Sequence, residues 1–361
     1  MKRYLLGFFL TLFVVALPSS LPAQMPELKP LKNTPDPTPP KDPHKFTFIL
    51  AGDNRPDKAM CSSDAGKSKQ KPCPPTAVVQ QIFEDITQQS PAFVLWTGDV
   101  ISGKDPTSSK NISEEYKAFL AVAASGKAAV YNAPGNHEMN DKNNCPNETM
   151  VKFYLKYTGP SSGAQKLPYG SFDYGDSHFI ALDSDEDTPT KSDPCNCSHF
   201  TGDDKPPGYI SQTQMDALAA DLKANKDKDH IFIFLHRPLE AYKSDDQLCS
   251  ANVSTMQALF KQYPNISYVV AGHEHMYYNV EGATDEAKFY DSPPPRTDPD
   301  SSGPYYLISG GAGAPLKNIK FNGQKTPSFF HFIVFTVDKS TVTAHMVRLD
   351  IPEKSKVEDD N

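Results

Sequence analysis

Five short apolar runs in this sequence each end at residues that could bind a metal ion or move a proton. The runs are Phe46–Ala51, Phe93–Thr97, Ala128–Ala133, Ile231–Leu235 and Tyr268–Ala271. They are followed by Gly52-Asp53, Gly98-Asp99, Gly135-Asn136-His137-Glu138, His236 and Gly272-His273-Glu274-His275. A single Gly-Asp pair usually marks a turn, and a single histidine at a strand end is usually structural. The set of five, in this order, is what indicates chemistry.

A run of about five Val, Ile, Phe or Leu residues is typical of a strand that is buried on both faces. Binding sites of open α/β sheets collect at the carboxyl ends of the strands. If the five strands are neighbours, their ends bring six potential metal ligands into one crevice, with a seventh polar residue, His137, beside them. The six are Asp53, Asp99, Asn136, His236, His273 and His275.

This mixture of oxygen and nitrogen donors suits Zn, Mn or Fe better than Ca or Mg, which prefer oxygen ligands alone. Six ligands are too many for one tetrahedral ion, but they suit two ions that share a carboxylate. Two ions about 3.5–4 Å apart can hold both the attacking and the leaving oxygen of a displacement at phosphorus. The pattern therefore predicts a dinuclear metal site.

With these motifs, the sequence resembles the calcineurin-like metallophosphoesterases, a superfamily that includes purple acid phosphatases and cyclic-nucleotide phosphodiesterases. The resemblance covers about residues 46–350. It implies an α/β fold, a four-layer α/β/β/α sandwich of two mixed sheets with a dinuclear metal site at the strand ends. It also implies metal-dependent hydrolysis of a phosphate monoester or diester by a metal-bridged hydroxide.

The resemblance implies a role for each candidate residue. Asp99 would bridge the two metal ions, and Asp53 and His275 would complete the first metal site. The second site would be completed by Asn136, His236 and His273. His137 would bind no metal and would face the phosphate as a proton donor or charge stabiliser.

The sequence departs from the family pattern after the first strand. The family usually has Asp-x-His there, with the histidine as a ligand, whereas this chain has Asp53-Asn54-Arg55. Arginine is always charged and does not ligate metals. The purple enzymes place a tyrosine ligand where this chain has Ser102. Arg55 could contact the substrate phosphate, which its planar fork fits, or it could pair with an acid such as Asp57.

The missing histidine also supports a second functional class, a non-catalytic protein that binds metal or phosphate on the same fold. His137 argues against this class, because a pure binding module has less need of a histidine that ligates no metal. A phosphatase assay with added Mn or Zn separates the two classes.

The ends of the chain predict its compartment. Residues 1–23 combine a basic start, a short apolar stretch and small residues, which is typical of a secretory signal peptide. Residues 24–45 are proline-rich and predict an extended tether, residues 46–350 form the metallophosphoesterase domain, and residues 351–361 form a polar tail. The expected location is secreted or periplasmic, with no membrane span after signal cleavage.

The net charge constrains the partners. The chain has 36 basic and 44 acidic residues, and loss of Lys2 and Arg3 with the signal would leave 34 basic residues. An acidic protein of this kind is a poor candidate for general nucleic-acid binding. A small phosphorylated substrate held by metals remains compatible with it. The sequence does not indicate an oligomeric state.

Six cysteines in an exported chain favour disulfides. They are Cys61, Cys73, Cys145, Cys195, Cys197 and Cys249. Each lies in a loop after one of the predicted strands, so the bonds are expected at the rim of the site. We expect a local Cys61–Cys73 bond and at least one bond between two different loops.

Two loops have open interpretations. Ser184–Gly208 is long for a loop in a compact domain, and is either a lid over the site or an insertion closed by its cysteines. Gly310–Pro315 is rich in glycine but lacks the lysine and helix of a phosphate-binding loop, which favours a turn near the site.

Overall fold

The computed structural model describes residues 24–56, 76–159, 166–201, 204–280, 292–300, 302–317, 319–321, 324–326 and 328–349. The predicted signal peptide, the polar tail, Asp57 and the Cys61–Cys73 bond all lie outside the described residues. Within those residues, no helix is long and apolar enough to cross a bilayer.

The strands of the described chain are β1 Lys45–Ala51, β2 Phe93–Trp96, β3 Ala129–Asn132, β4 Gly170–Tyr174, β5 Ser177–Ala181, β6 His230–Phe234, β7 Ile266–Ala271, β8 Tyr277–Asn279, β9 Arg296–Thr297, β10 Tyr305–Ser309, β11 Ile319–Phe321, β12 Gln324–Thr326, β13 His331–Asp338 and β14 Thr341–Arg348. The helices are α1 Ala77–Gln89, α2 Ser109–Ser125, α3 Asn136–Met139, α4 Glu148–Thr158, α5 Gln212–Ala224 and α6 Ser250–Phe260, with a short 3₁₀ turn at Cys197–His199.

Two six-stranded sheets form the centre of the molecule. One has the order β3-β2-β1-β13-β14-β9 and the other the order β4-β5-β6-β7-β10-β8. Strands β1 to β3 run parallel in the first sheet, and β5, β6, β7 and β10 run parallel in the second. The remaining pairs in both sheets are antiparallel, so both sheets are mixed.

Alternation along the strands produces four layers. In β1, Phe48 and Leu50 pack into a core between the two sheets, while Ile49 and Ala51 pack outward against helices α1, α2 and α4. Successive strand side chains point to opposite faces, so a run that is apolar at every position is buried on both sides. Helices α5 and α6 cover the second sheet in the same way. The predicted α/β/β/α sandwich is confirmed.

All five predicted strands are present, as β1, β2, β3, β6 and β7. Thr76 caps α1, since its side chain accepts a hydrogen bond from the Val79 N–H. Ser254 and Gln257 have the spacing of a capping box, which predicts a helix that starts at Ser254, but the structure places the start elsewhere. The helix begins at Ser250, and the Ser254 hydroxyl instead donates to the Ser250 carbonyl at 2.9 Å, as serines inside helices commonly do.

The proline-rich segment at residues 24–45 packs against the sandwich. The Leu28 N–H donates to the Ser171 carbonyl at 2.8 Å, and the Leu31 N–H donates to the Val130 carbonyl at 2.7 Å. Ser171 lies on β4 and Val130 on β3, which are the edge strands of the two sheets, and both leucines are buried. The predicted tether is thus packed against the domain, where it covers edge strands that would otherwise expose unpaired backbone groups.

A buried histidine joins the second sheet to its helix layer. The ring of His178 on β5 lies 2.6 Å from an Asp173 oxygen and 2.7 Å from an Asp221 oxygen of α5. Burial lowers the pKa of His178, but the hydrogen bonds to the two carboxylates outweigh burial, and the pKa is raised overall above 6.5. The structure thus favours the protonated ring.

We therefore expect His178→Gln to destabilise the protein in a pH-dependent manner. A raised folded pKa contributes stability that is fully present below about pH 6.5 and is lost as pH rises through the folded pKa. The free energy of unfolding should fall by about 2 kcal/mol at pH 5 and by less at pH 9, which urea titrations would measure. Equal losses at both pH values would contradict a charged His178.

Candidate metal centre

The carboxyl ends of the five strands meet at one pocket. The pocket has a volume of about 230 Å³ and is lined by Asp99, Asn136, His137, His273 and His275 among others. Asp53 and His236 are completely buried beneath them. The structure therefore brings together all seven residues that the sequence singled out at the strand ends.

Three of these residues have an unusual backbone. Asp53, Asp99 and His273 adopt φ values of 61°, 53° and 68°. Residues other than glycine rarely adopt positive φ, and such positions are concentrated at functional sites. Position 272, before His273, requires glycine because the backbone there packs closely on Asp53. A Cβ on Gly272 would lie 2.2 Å from Asp53 Oδ2. The Gly-Asp and Gly-His pairs are thus turns that aim side chains into the pocket.

The first group of potential ligands consists of Asp53, Asp99 and His275. One donor atom from each lies within 4.8 Å of the others. The His275 Nδ1–H donates to the Pro315 carbonyl at 2.7 Å, which leaves the lone pair of Nε2 facing Asp53 Oδ1 at 3.7 Å. A backbone carbonyl that fixes one ring nitrogen is the usual arrangement behind a metal-binding histidine.

The second group consists of Asn136, His236 and His273. The His236 Nδ1–H donates to the Thr97 carbonyl at 2.7 Å, so its Nε2 carries a lone pair. That Nε2 lies 3.0 Å from Asn136 Oδ1 and 3.1 Å from His273 Nδ1. His273 Nε2 lies between Arg237 Nη1 at 3.3 Å and Asp246 Oδ1 at 3.4 Å. In the tautomer that donates from Nε2 to Asp246, Nδ1 is an acceptor, and three lone pairs then converge.

These donor sets fit metal ions. Burial is the largest cause that lowers the pKa of His236, His273 and His275, so the rings are neutral and ready to ligate. Burial and the charge of Asp99 raise the pKa of Asp53 well above its ordinary value, a cost that a cation relieves. The Asn136 amide would satisfy its protein neighbours better with oxygen and nitrogen exchanged. A cation instead favours the oxygen facing His236.

Arg55 and Ser102 stand where the family pattern has a histidine and a tyrosine ligand, and neither of them replaces the missing histidine. Arg55 Nε lies 3.4 Å from Asp99 Oδ2, at ion-pair distance, and its side chain lines the pocket. The Ser102 hydroxyl donates to the Pro56 carbonyl at 2.7 Å and is turned away from the ligands. Among the described residues, the first group therefore has three candidate ligands.

His137 stands beside both groups. Its Nδ1 lies 2.6 Å from the Ser102 carbonyl, and its Nε2 lies 3.9 Å from Asp99 Oδ2. Burial, followed by the charges of Lys104 and Arg55, lowers the pKa of His137 well below 6.5. Its backbone N–H donates to Asp99 Oδ1 at 3.1 Å, which couples its position to that of the carboxylate.

The two glutamates inside the motifs are structural, a role that the sequence did not reveal. Glu138 accepts four backbone N–H groups around Asp99, from residues 99, 100, 101 and 135, at 2.8, 2.9, 3.2 and 2.8 Å. Glu274 accepts two backbone N–H groups of the loop after His236, at 2.8 and 2.7 Å. Glu138 therefore fixes the turn of Asp99, and Glu274 fixes the loop that follows His236.

The loop at Gly310–Pro315 supports the turn of Asp53. The Ala312 N–H donates to the Gly52 carbonyl at 3.0 Å, and the Ala314 N–H donates to the Asp53 carbonyl at 2.8 Å. The loop is thus a turn next to the site. This is the interpretation that the sequence favoured, because the loop lacks the lysine and the helix of a phosphate-binding loop.

Sequence reasoning missed Asp246 and Lys104, which belong to no motif. Asp246 lies within 3.4 Å of His273, Lys205 and Lys317. Lys104 lines the pocket, and burial lowers its pKa to about 7 despite the opposing charge of Asp99. Arg237 was also missed, although its position directly after His236 indicated that it lies near the pocket.

Two disulfides join the loops around the pocket. Cys145 is bonded to Cys197, and Cys195 is bonded to Cys249. The three loops that they connect contribute Asn144, Lys205 and Asp246 to the pocket lining. The expectation of a bond between two different loops is confirmed. The long loop at Ser184–Gly208 is both closed by its cysteines and part of the pocket wall.

We expect these bonds to hold both the fold and the pocket. The bonded cysteines are 52 and 54 residues apart, so replacing either pair with serine should lower the free energy of unfolding by about 4 kcal/mol on the chain-entropy estimate. Urea titration would measure the loss. In the same variants, affinity for inorganic phosphate should fall because pocket loops are released. Unchanged phosphate affinity would show that the bonds serve stability alone.

The fold and the site together define a class, an α/β/β/α sandwich with clustered metal donors at the strand ends. Comparison with known families agrees with this class. Residues 63–277, more than half of the chain, match the family described as calcineurin-like phosphoesterase. The chain belongs to this family. The match begins after Asp53 and Arg55, where the sequence departs from the usual motif.

Individual relatives are distant. The chain is 27% identical over 241 residues to acid phosphatase A of Cryphonectria parasitica, a match that covers 56% of this chain and 45% of that protein. It is similar to a purple acid phosphatase from yellow lupin, at 17% identity and a TM-score of 0.56, covering 90% of this chain and 54% of that chain. The chain thus spans about half the length of these two relatives.

Two further structures share the fold. A dimetal phosphatase from Danio rerio has 14% identity and a TM-score of 0.50, covering 84% of this chain and 98% of that chain. GAP50, described as the anchor in the inner membrane complex of Plasmodium, has 11% identity and a TM-score of 0.50. The match covers 87% of this chain and 86% of that chain. At these identities the likeness shows the fold alone.

Proposed function

We propose that this protein hydrolyses a phosphate ester with the help of two metal ions. The observation that carries the proposal is the convergence of donor atoms in two adjacent groups that share Asp99. Asp99 belongs to the first group with Asp53 and His275, and its Oδ1 also lies 3.3 Å from His236 Nε2 in the second group. Membership of the calcineurin-like phosphoesterase family supports the same reaction class.

In this proposal, Asp99 would be shared by the two ions, Asp53 and His275 would complete the first site, and the remaining candidate ligands would complete the second. Those remaining ligands are Asn136, His236 and His273. The donor set suits Zn, Mn or Fe. When bound, the two ions would supply Lewis-acid activation for displacement at phosphorus.

His137 and Arg55 would act on the substrate. The His137 Nδ1–H is held by the Ser102 carbonyl, so Nε2 is free to exchange a proton with the leaving oxygen. Arg55 reaches Asp99 Oδ2, and a bridging Asp99 would share its charge with the metals. The guanidinium is then available to phosphoryl oxygens, which its fork geometry matches.

One alternative has an observation of its own. Arg55 stands where the family pattern has a histidine ligand, and three protein ligands in the first group weaken that site. A non-catalytic protein that binds metal or phosphate on this fold would tolerate such a loss. The anchor described for GAP50 shows that the fold also occurs in a protein named for a structural role.

We further propose that the substrate is a small phosphorylated molecule and that the protein works outside the cytoplasm. The pocket of about 230 Å³ is smaller than the usual sites of drug-sized ligands, which span about 300–1,000 Å³, and this favours a small substrate. The two disulfides form and persist in oxidising compartments.

The proposal is tested on purified protein loaded with Zn, Mn or Fe. Metal content is measured by mass spectrometry, and hydrolysis is measured with p-nitrophenyl phosphate and bis-p-nitrophenyl phosphate. We expect two ions per chain and turnover that chelation abolishes. Two bound ions without turnover of either ester would favour the non-catalytic alternative.

A further inference from the structure

The pocket contains an excess of basic side chains, namely Arg55, Lys104, Lys205, Arg237 and Lys317. Most of them have a carboxylate partner. Arg237 donates to Asp185 at 2.9 Å, and Lys205 and Lys317 share Asp246 at 3.4 and 3.3 Å. These pairs balance much of the charge on one side of the pocket.

Lys104 differs from the other four. Among the residues that the structure describes, no carboxylate lies within 4.0 Å of its Nζ. Its hydrogen-bond partner is Asn144 Oδ1 at 2.6 Å. The other close atom belongs to the Asn136 amide at 2.8 Å, and it would accept a hydrogen bond only after exchange of the amide oxygen and nitrogen. With the Asn136 oxygen directed at the metals, an ammonium with three donors has one acceptor.

The backbone holds Lys104 in this position. Lys104 has a φ of 61°, which a non-glycine residue adopts at a cost. The preceding residue, Gly103, packs so closely on the turn of His137 that a Cβ would lie 1.9 Å from the His137 carbonyl oxygen. A backbone β-bridge between residues Lys104 and Asp141 adds a second link to the same loop. The strained turn therefore fixes a cation beside the metal ligands.

We propose that Lys104 binds a non-bridging oxygen of the substrate phosphoryl group, and that Lys104 and Arg55 together select dianionic phosphate monoesters over diesters. This inference rests on the proposed function and narrows its substrate class. The acceptor that Lys104 lacks within the protein is supplied by the bound phosphoryl oxygen.

The charge of the substrate gives the reason for the selection. Above a pH of about 6, a phosphate monoester carries two negative charges on three non-bridging oxygens, whereas a diester carries one charge on two. Two metal ions can bind two of these oxygens, and Lys104 and Arg55 serve the third oxygen and the second charge. A diester has neither the third oxygen nor the second charge, so it leaves Lys104 with Asn144 as its one acceptor, which is costly for a partly buried cation.

The test compares kcat/KM for p-nitrophenyl phosphate and bis-p-nitrophenyl phosphate at pH 6.5 in metal-loaded wild type, Lys104→Gln and Lys104→Met. The glutamine can still donate to Asn144 but carries no charge. Lys110→Met is the matched control, because Lys110 is 85% exposed on α2. Metal content and the dissociation constant for inorganic phosphate are measured for each protein.

We expect wild type to prefer the monoester. Both Lys104 variants should lose about 10–100-fold in kcat/KM for the monoester, the loss of one charge-assisted hydrogen bond, and under about threefold for the diester. Both should keep two metal ions and bind phosphate more weakly, while Lys110→Met matches wild type. Wild-type preference for the diester, or equal losses for both esters, would overturn the selection.

Failure of the inference can be distinguished from failure of the proposed function. Absence of turnover of both esters by metal-loaded wild type would reject the function. The phosphate dissociation constant would then decide the role of Lys104 alone. Weaker phosphate binding in Lys104→Gln supports the contact, and unchanged binding rejects it.

Discussion

Replacement of Asp99 with asparagine is expected to abolish hydrolysis and to lower metal content. Asp99 lies in both ligand groups, within 4.8 Å of donors from Asp53 and His275 and 3.3 Å from His236 Nε2. Asparagine keeps the shape and one oxygen but removes the negative charge that two cations share. Loss of several kcal/mol of metal-derived stabilisation corresponds to a fall of about 10³-fold or more in kcat/KM.

The measurement combines initial rates with metal analysis of the dialysed protein. Asp216→Asn is a matched control, since Asp216 is exposed on α5 and belongs to neither ligand group. A circular dichroism spectrum like that of wild type would show that the variant is folded. Retained turnover with two bound ions would remove Asp99 from the bridging position.

The second large effect is expected at His137. His137→Ala should reduce kcat by about 10²–10⁴-fold, the range for loss of a positioned proton donor, while two metal ions remain bound. The separation of the two effects follows from geometry. The His137 ring is fixed by the Ser102 carbonyl, and its Nε2 is 3.9 Å from Asp99, beyond hydrogen-bond distance. Loss of metal in this variant would make His137 a ligand.

The pH profile provides a second measurement for His137. Burial and the charges of Lys104 and Arg55 lower its pKa, so the protonated ring exists in the free protein only below pH 6.5. A proton donor is lost as pH rises through its pKa, so kcat/KM should decline with increasing pH in the acid range. His137→Ala should remove this decline, and His345→Ala, at an exposed position on β14, should preserve it.

The sequence alone determined the strands and the candidate ligands. Apolar runs such as Phe46–Ala51 are buried on both faces, and the glycine turn after four of the five runs is a local feature that the residues themselves specify. The family resemblance then supplied the order of the layers. These inferences succeeded because periodicity and turn chemistry depend on neighbours along the chain.

Local patterns were least informative where distant segments meet. The segment at residues 24–45 contains few apolar residues, and nothing in its pattern shows that Leu28 and Leu31 cover the edges of two sheets. Likewise, Ser254 is a residue type typical of helix caps, but helix α6 begins one turn earlier, at Ser250. In both cases, tertiary packing overrides a weak local preference.

Tertiary structure also decided the electrostatics of the pocket. Asp246, Lys205 and Asn144 come from three loops that two disulfides join, and no spacing in the sequence relates them. Whether a lysine has a carboxylate partner depends on which loops meet, so the sequence could not single out Lys104. The sequence thus determined which side chains could bind metal, and the folded loops determined which charges surround them, because charge pairing acts through space and not along the chain.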